Sequence, residues 1–190
     1  MIAYPHFGSL WLPVLVSSVL VWIVSAIMHM VMPHHKSDFS QLPNEDGVAD
    51  ALRKLSLPPG QYLLPYMTDA KQCKDPAFVK RLEAGPQAMI RIRPNGVPKM
   101  GPNLLAYFVY CFVVSFITGY VARHTLGLAS SMHTVFRLTG TVAISAYTLA
   151  NFPESIWMWR PWSATWKNVA DAVVYGLLTA ASFALLWPKG

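Results

Sequence analysis

The sequence has few charged residues for its length. Only 13% of its 190 residues are Asp, Glu, Lys or Arg, whereas about a quarter of the residues in a globular domain are charged. Hydrophobic residues make up 54% of the chain. This composition argues against an ordinary globular domain and is typical of an integral membrane protein.

Cysteine is almost absent. The two cysteines are Cys73, in a polar stretch, and Cys111, inside an apolar segment. They cannot pair if one lies in the membrane and the other outside it, so no disulfide framework is expected. The chain has no CxxC or CxxCH pattern, so covalent attachment of c-type haem is not indicated.

Motifs of the common enzyme classes are also missing. The chain contains no GxSxG, HExxH, GxGxxG or Walker sequence, so no activity, cofactor or small-molecule substrate is identified. Its net charge is +6, but ten of the 15 basic residues lie between positions 36 and 99, mixed with seven of the nine acidic ones. Because these charges form no basic stripe, nucleic-acid binding is not expected.

Long apolar segments dominate what is present. A helix needs about 20 mostly apolar residues to cross the bilayer core. Four segments approach this length, at residues 10–32, 104–122, 135–152 and 169–187. The sequence therefore predicts an all-α membrane protein with four transmembrane helices that contact the lipid bilayer.

A polar module separates the first two spans. Asn44 and Asp75 are good helix N-caps, and each precedes a short amphipathic segment. Residues 61–67 and 88–93 read as strands. We therefore expect a small α+β extramembrane insert, and three parts to the chain: 1–32 with the first span, 33–102 as the polar module, and 103–190 with three spans.

Tryptophan is concentrated between the third and fourth spans. Indole rings prefer the headgroup layer of a membrane. The sequence thus predicts a loop lying in the plane of the interface, carrying Trp157, Trp159, Trp162 and Trp166.

The fourth span has a small residue at every fourth position, which lets another helix approach closely. This face serves either packing within the bundle or docking of another subunit. Arg137, near the start of the third span, snorkels to the interface or hydrogen-bonds a neighbouring helix, contacts a lipid or partner, or lies on a transport or proton path. The small residues are Ala172, Gly176, Ala180 and Ala184.

Histidines cluster where the first span ends. Four crossings bring His29, His34 and His35 to the same membrane edge as Asp171, at the start of the fourth span. Imidazole and carboxylate together suit a transition metal, and the interleaved methionines offer thioethers for Cu(I). The alternatives are histidines that contact headgroups, cap the helix or hold the module, and a local salt bridge from Asp171 to Arg160 or Lys167.

More basic residues lie near the ends of the spans on the side of the polar module than on the opposite side. By the positive-inside rule, the polar module is then cytoplasmic and both termini lie outside.

Several stretches carry a resemblance over nearly the whole chain. They are MPHHKSDF with LPNEDGVADALR, and FRLTGT with SIWMWRPW and GLLTA. The chain resembles a group of small bacterial multi-span proteins usually described only as hypothetical membrane proteins. The resemblance implies a bacterial inner-membrane location and about four spans, and implies no activity, cofactor or binding residue.

Three functions follow as hypotheses. The first is a non-catalytic accessory or scaffold subunit of a larger inner-membrane assembly, such as an energy-transducing one, with other membrane subunits as partners. The second is a metal-binding or redox membrane protein that uses the histidine cluster. The third is a small oligomeric transporter.

Overall fold

The computed structural model describes residues 3–189, which form two compact units. One unit comprises the residues up to Phe39 together with those from Lys99 onward, and the other is Ser40–Pro98. The helices and strands, in chain order, are α1 (Trp11–Met30), a 3-10 helix (Pro33–Asp38), α2 (Glu45–Leu55), β1 (Gly60–Leu64), α3 (Pro76–Ala84), β2 (Ala88–Ile92), α4 (Met100–Thr125), α5 (Met132–Thr148), α6 (Asn151–Trp157) and α7 (Trp162–Leu185). Short 3-10 turns also occur at Phe7–Ser9 and Ala70–Lys74.

Three helices are long and apolar enough to cross a membrane. They are α1 with 20 residues, α4 with 26 and α7 with 24. These helices fit a multi-pass membrane protein, as the composition predicts. The predicted third span is shorter than expected, because α5 has 17 residues and ends at Thr148.

Asn151 explains why α5 stops there. Its side-chain amide donates to the carbonyls of Tyr147 and Thr148, at 2.9 and 3.2 Å. Those carbonyls are among the last four of a helix, which have no partner within the helix itself. The chain then bends for two residues and resumes as the seven-residue helix α6. A fourth crossing is therefore not shown by the structure.

The four long helices run alternately in opposite directions. At one end, the backbone N–H of Leu128 donates to the carbonyl of Ala3, at 2.8 Å, and the Trp187 indole donates to Gly127, at 3.3 Å. The N-terminal segment, the α4–α5 loop and the end of α7 thus meet there. The opposite end holds the 3-10 helix Pro33–Asp38, the start of α7 and the end of α5.

Small residues let α5 and α7 pack closely. A Cβ atom added at Gly176 would lie 2.2 Å from Cγ1 of Ile144, and one added at Gly140 would lie 3.1 Å from Cβ of Ala180. The predicted small-residue face, Ala172, Gly176, Ala180 and Ala184, is buried in the structure. Packing within the chain accounts for this face.

Buried hydroxyls link α1 to α4. The hydroxyl oxygens of Ser17 and Ser115 lie 3.0 Å apart, and Ser17 donates its proton to the Pro13 carbonyl of its own helix, at 2.7 Å. Interhelical hydrogen bonds of this kind hold helices together where lipid surrounds them. Trp22 adds a hydrogen bond to the carbonyl of Leu104, at 3.0 Å.

The unit Ser40–Pro98 is a small α+β module, as predicted. Asn44 and Asp75 cap α2 and α3 by accepting from the backbone N–H groups of Gly47 and Ala77. Strands β1 and β2 pair antiparallel, with Tyr62 opposite Ile90. Among the described residues of this module only Phe78 is buried, so the module has a very small core.

Candidate metal centre

Asp171 is the buried acid of the helical unit. Asp171 is 2% exposed. It lies nine positions after Trp162, roughly 14 Å along α7. The sequence placed it in the first turn of the fourth span, but α7 begins earlier than that span. A carboxylate at this depth in an apolar helix is costly unless it is paired.

Three histidines supply the pairing. After α1, the 3-10 helix Pro33–Asp38 turns the chain so that two imidazoles reach α7. Nε2 of His34 lies 3.1 Å from Oδ1 of Asp171, and Nε2 of His35 lies 2.7 Å from Oδ2. Nε2 of His29, from the last turn of α1, lies 3.8 Å from Oδ2. The structure therefore brings the four predicted residues together.

The tautomer of His29 follows from its backbone contact. Its Nδ1 lies 3.0 Å from the carbonyl oxygen of Ser25, and a carbonyl can only accept a hydrogen bond. Nδ1 therefore carries a proton, and Nε2 is the ring nitrogen that faces Asp171. The His29 ring also stacks on that of His35, with centroids 4.4 Å apart.

His35 lies between two carboxylates. Its Nδ1 is 2.7 Å from Oδ2 of Asp38, while its Nε2 faces Asp171. Burial alone would lower the pKa of His35, but the hydrogen bonds and negative charges of Asp171 and Asp38 outweigh it and raise the pKa above 6.5. Each ring nitrogen of His35 faces a carboxylate oxygen, and only the imidazolium form can donate to both.

Lys167 holds Asp38 from the other side. Its Nζ donates to Oδ1 of Asp38 and to the hydroxyl of Ser37, both at 2.7 Å. Burial would raise the pKa of Asp38, but the contacts with Lys167 and His35 outweigh it and lower the pKa below 3.8. Asp38 is therefore a fixed anion that orients the His35 ring.

His34 differs from the other two histidines. The ligand atoms of His29, His35 and Asp171 all lie within 4.8 Å of one another, and this set does not include His34. The Nδ1 atom of His34 is buried without a hydrogen-bond partner among the described residues. His34 contacts Oδ1 of Asp171 but lies outside this compact set of three, and its predicted role as a metal ligand stays a prediction.

Two imidazoles and one carboxylate form a recognisable ligand set. Zn²⁺ is bound this way by two histidines and an acid when one position stays open, and Fe²⁺ is bound by a similar triad. The Nδ1 contacts of His29 and His35 match the outer hydrogen bonds that usually orient metal-ligating histidines. The arrangement can thus hold a divalent transition metal and leave part of its coordination free.

A cavity of about 220 Å³ adjoins this cluster, and we name it the tyrosine cavity. His29 and Asp171 form part of its wall, together with Asn151 and Asn168. Four tyrosines also line the cavity: Tyr107, Tyr110, Tyr147 and Tyr175. A metal ion on His29 and Asp171 would therefore be reached from this cavity.

Sequence reasoning missed the tyrosines. Tyr107 and Tyr110, three residues apart on α4, face Tyr147 of α5 and Tyr175 of α7. In an apolar span a tyrosine reads as packing or as an interface residue, and only the arrangement of the helices shows that four of them converge. The spacing of Tyr107 and Tyr110 is the one local signal, because residues three apart share a helix face.

The other predicted residues lie away from the cluster or contact it indirectly. Arg160 contacts the amide of Asn168 and Lys167 contacts Asp38, so the local salt bridge considered for Asp171 is not formed with either. Arg137 is exposed in the second turn of α5, at the opposite end of that helix from the cluster. The tryptophans are all exposed: Trp157, Trp159, Trp162 and Trp166.

The Trp-rich segment is mostly helical rather than a loop. Trp157 ends α6, and Trp162 and Trp166 lie in the first turns of α7. Phe152 contacts the rings of Trp162 and Trp166, with centroids 6.4 and 5.8 Å away. Three of the four exposed tryptophans thus lie on the end of α6 and the first turns of α7.

Comparison of the chain with protein-family models, with curated proteins and with solved structures gave no match. The resemblance to small bacterial multi-span proteins stays a prediction from the sequence.

Proposed function

We propose that this chain is a membrane protein that binds one divalent transition-metal ion through His29, His35 and Asp171. The observation that carries the proposal is the convergence of imidazole Nε2 atoms on a single buried carboxylate. Among the described residues, Asp171 has no Lys or Arg partner that would explain its burial as a simple ion pair. Of the metals that suit this ligand set, Zn²⁺ and Fe²⁺ fit best.

Metal content tests the proposal. The full chain, purified in mild detergent and stripped with a chelator, is loaded with Zn²⁺ or Co²⁺, desalted and analysed for bound metal. We expect one ion per chain in the wild type and little or none in His35→Ala and Asp171→Asn. His133→Ala removes an exposed histidine at the start of α5 and is expected to keep the full amount.

The opposing account is a purely structural network in which a protonated His35 neutralises the acids. It predicts no stoichiometric metal in the wild type under any loading condition, and that result would exclude the metal site. Equal metal content in the wild type and in His35→Ala would exclude it too.

The proposed topology has four spans, with α5 as the third crossing. At 17 residues α5 is about 25 Å long, slightly short for a hydrocarbon core of about 30 Å. Its close packing along α7 and the alternating helix directions support a crossing. The N-terminal segment and the end of α7 then share one side, which in a bacterial inner membrane is the periplasm.

An accessory subunit remains the second candidate function. It is favoured by the weak core of the Ser40–Pro98 module, in which the apolar side chains of α2 stay uncovered: Val48 and Leu55 are 40% and 63% exposed. A module of this kind gains stability from a partner or a membrane surface. Blue-native electrophoresis of the tagged protein tests it, since a lone monomer with nothing co-purifying contradicts this role. The small transporter stays a prediction.

A further inference from the structure

The end of the helical unit opposite the metal ligands carries basic residues and no acidic ones. This end is formed by the N-terminal segment, the α4–α5 loop and the end of α7. The chain has no Asp or Glu in residues 1–37, 84–153 and 172–190, which include all of these parts. The Lys and Arg residues at this end are Arg123, Arg137 and Lys189. Their positive charges therefore have no acidic side chain nearby to balance them.

Arg123 is the most enclosed of these cations. It is half-buried in the last turn of α4, a helix that is long and apolar enough to cross a membrane. Its Nε donates to the carbonyl of Pro5, at 3.2 Å. A guanidinium has five N–H groups, and the other four make no hydrogen bond or ion pair with the described residues. A half-buried charge near a membrane is costly without a partner, so an anion would stabilise it.

A cavity of about 360 Å³ lies beside Arg123, and we name it the basic cavity. Tyr4, Arg123 and His124 line it. Backbone contacts on both sides of Tyr4 hold this segment in place, because Ala3 accepts from the N–H of Leu128 and Pro5 accepts from Arg123. Phenol, guanidinium and imidazole can all donate hydrogen bonds. This set suits an anion with several oxygens, and arginine is well shaped for phosphate.

An apolar stripe of α4 leads away from the basic cavity. Val113, Ile117 and Tyr120 are 45%, 48% and 53% exposed. Their spacing of four and three residues puts them on one helix face, and His124 continues it four residues later. The ring of Tyr120 contacts that of His124, with centroids 4.6 Å apart. From Val113 to His124 the helix rises about 16.5 Å, roughly half of a hydrocarbon core of about 30 Å. The stripe thus matches the depth of one lipid leaflet.

We propose that the basic cavity and this stripe bind an anionic phospholipid. The phosphate lies at Arg123 and His124, and one acyl chain lies along the stripe of α4. A headgroup with a net negative charge fits best, because the ammonium of a zwitterionic headgroup would find no Asp or Glu at this end. The proposal goes beyond the metal site and does not depend on it, since the two sites lie at opposite ends of the helical unit.

Three probes separate headgroup charge from acyl chains. The full chain is delipidated in mild detergent, titrated with each probe and analysed by native mass spectrometry. Dioleoylphosphatidylglycerol and dioleoylphosphatidylcholine share their chains and differ in net charge, whereas glycerol 3-phosphate offers a phosphate without chains. We expect one saturable site per chain for phosphatidylglycerol, a higher Kd for phosphatidylcholine and the highest Kd for glycerol 3-phosphate.

Variants locate the site. Arg123→Gln removes the charge and keeps an amide N–H that can reach Pro5, so the Kd of phosphatidylglycerol is expected to rise about 10- to 100-fold. His124→Ala removes one donor at an exposed residue and should raise the Kd about 2- to 12-fold. Lys189→Gln is the matched control, because Lys189 is an exposed cation at the same end that does not line the basic cavity. This control should leave the Kd unchanged.

Several results would overturn the proposal. They are the absence of saturable phosphatidylglycerol binding, phosphatidylcholine binding of equal strength, and glycerol 3-phosphate binding as tightly as the lipid, which would indicate a site for free phosphate. An equal loss in Lys189→Gln and Arg123→Gln would indicate general attraction to the basic surface and would also overturn it. If Arg123→Gln does not fold, an unchanged Kd in His124→Ala has the same consequence.

Discussion

Replacing Asp38 tests whether its hydrogen bond orients the ring of His35, because Asp38 contacts this proposed metal ligand without being a ligand itself. Its Oδ2 accepts from Nδ1 of His35 at 2.7 Å, and its Oδ1 accepts from Lys167 at the same distance. When a metal ion replaces the proton on Nε2, this contact would keep the other proton on Nδ1 and hold Nε2 directed at the metal. Removing an outer partner of a metal-binding histidine typically costs 10- to 100-fold in metal affinity.

Two Asp38 variants are expected to lose metal affinity by amounts at the two ends of this range. In Asp38→Asn the single amide oxygen can still accept from His35. The NH₂ group of the asparagine then faces the ammonium of Lys167. We expect about a 10-fold loss of Zn²⁺ affinity, or about 1.4 kcal/mol. Asp38→Ala removes both contacts and leaves Lys167 unpaired, so its loss is expected near 100-fold, or about 2.7 kcal/mol.

Competition with a chromophoric chelator measures both affinities in detergent. Asp46→Asn is the matched control, because Asp46 is an exposed acid of α2. The reasoning is refuted if Asp38→Ala binds Zn²⁺ as tightly as the wild type. It is also refuted if Asp46→Asn weakens binding as much as Asp38→Asn does.

Three further predictions concern packing, protonation and topology. Gly176→Ala would place a Cβ 2.2 Å from Ile144 and should lower the free energy of unfolding by about 1–3 kcal/mol. The control Gly101→Ala, whose added Cβ has nothing within 4 Å, should not lower the Tm. A Tm for Gly176→Ala equal to the wild-type value contradicts the α5–α7 packing. Because the pKa of His35 is raised, its ion pairs stabilise the metal-free protein fully below pH 6.5 and less as pH rises through that raised pKa. The Tm of the metal-free protein should therefore fall over that pH interval. A Tm that does not change with pH there refutes the protonated form of His35. An impermeant maleimide should label only the exposed Cys73, from inverted but not right-side-out vesicles; labelling from the periplasmic face reverses the orientation.

Local signals predicted much of the fold. The helix caps Asn44 and Asp75 were readable because a short polar side chain before an amphipathic run satisfies the first N–H groups of a helix. The apolar lengths of α1, α4 and α7 were readable in the same way. These features depend on residues close together in the chain, which is why the sequence alone was enough.

Element boundaries near the membrane edge were harder to predict. Hydropathy placed the start of the fourth span at residue 169, since Lys167 and Asn168 precede it, but α7 begins at Trp162. A helix can extend beyond its apolar part, because its backbone hydrogen bonds do not require apolar side chains. Asp171 therefore lies deeper in its helix than the sequence indicated.

The site was predicted in part. The expectation of four crossings placed His29, His34, His35 and Asp171 at one membrane edge, and the structure has all three histidines close to Asp171. The role of Asp38 and the converging tyrosines depended on side-chain directions and on the turn made by the 3-10 helix Pro33–Asp38, which residue spacing does not determine.

X-ray absorption at the zinc edge of the loaded wild-type protein identifies the atoms bound to the metal. We expect nitrogen and oxygen ligands at about 2.0–2.1 Å, with outer scattering from two imidazoles, His29 and His35, and no sulfur ligand near 2.3 Å. A spectrum without imidazole scattering, or one with sulfur bound to the metal, would contradict the proposed ligand set.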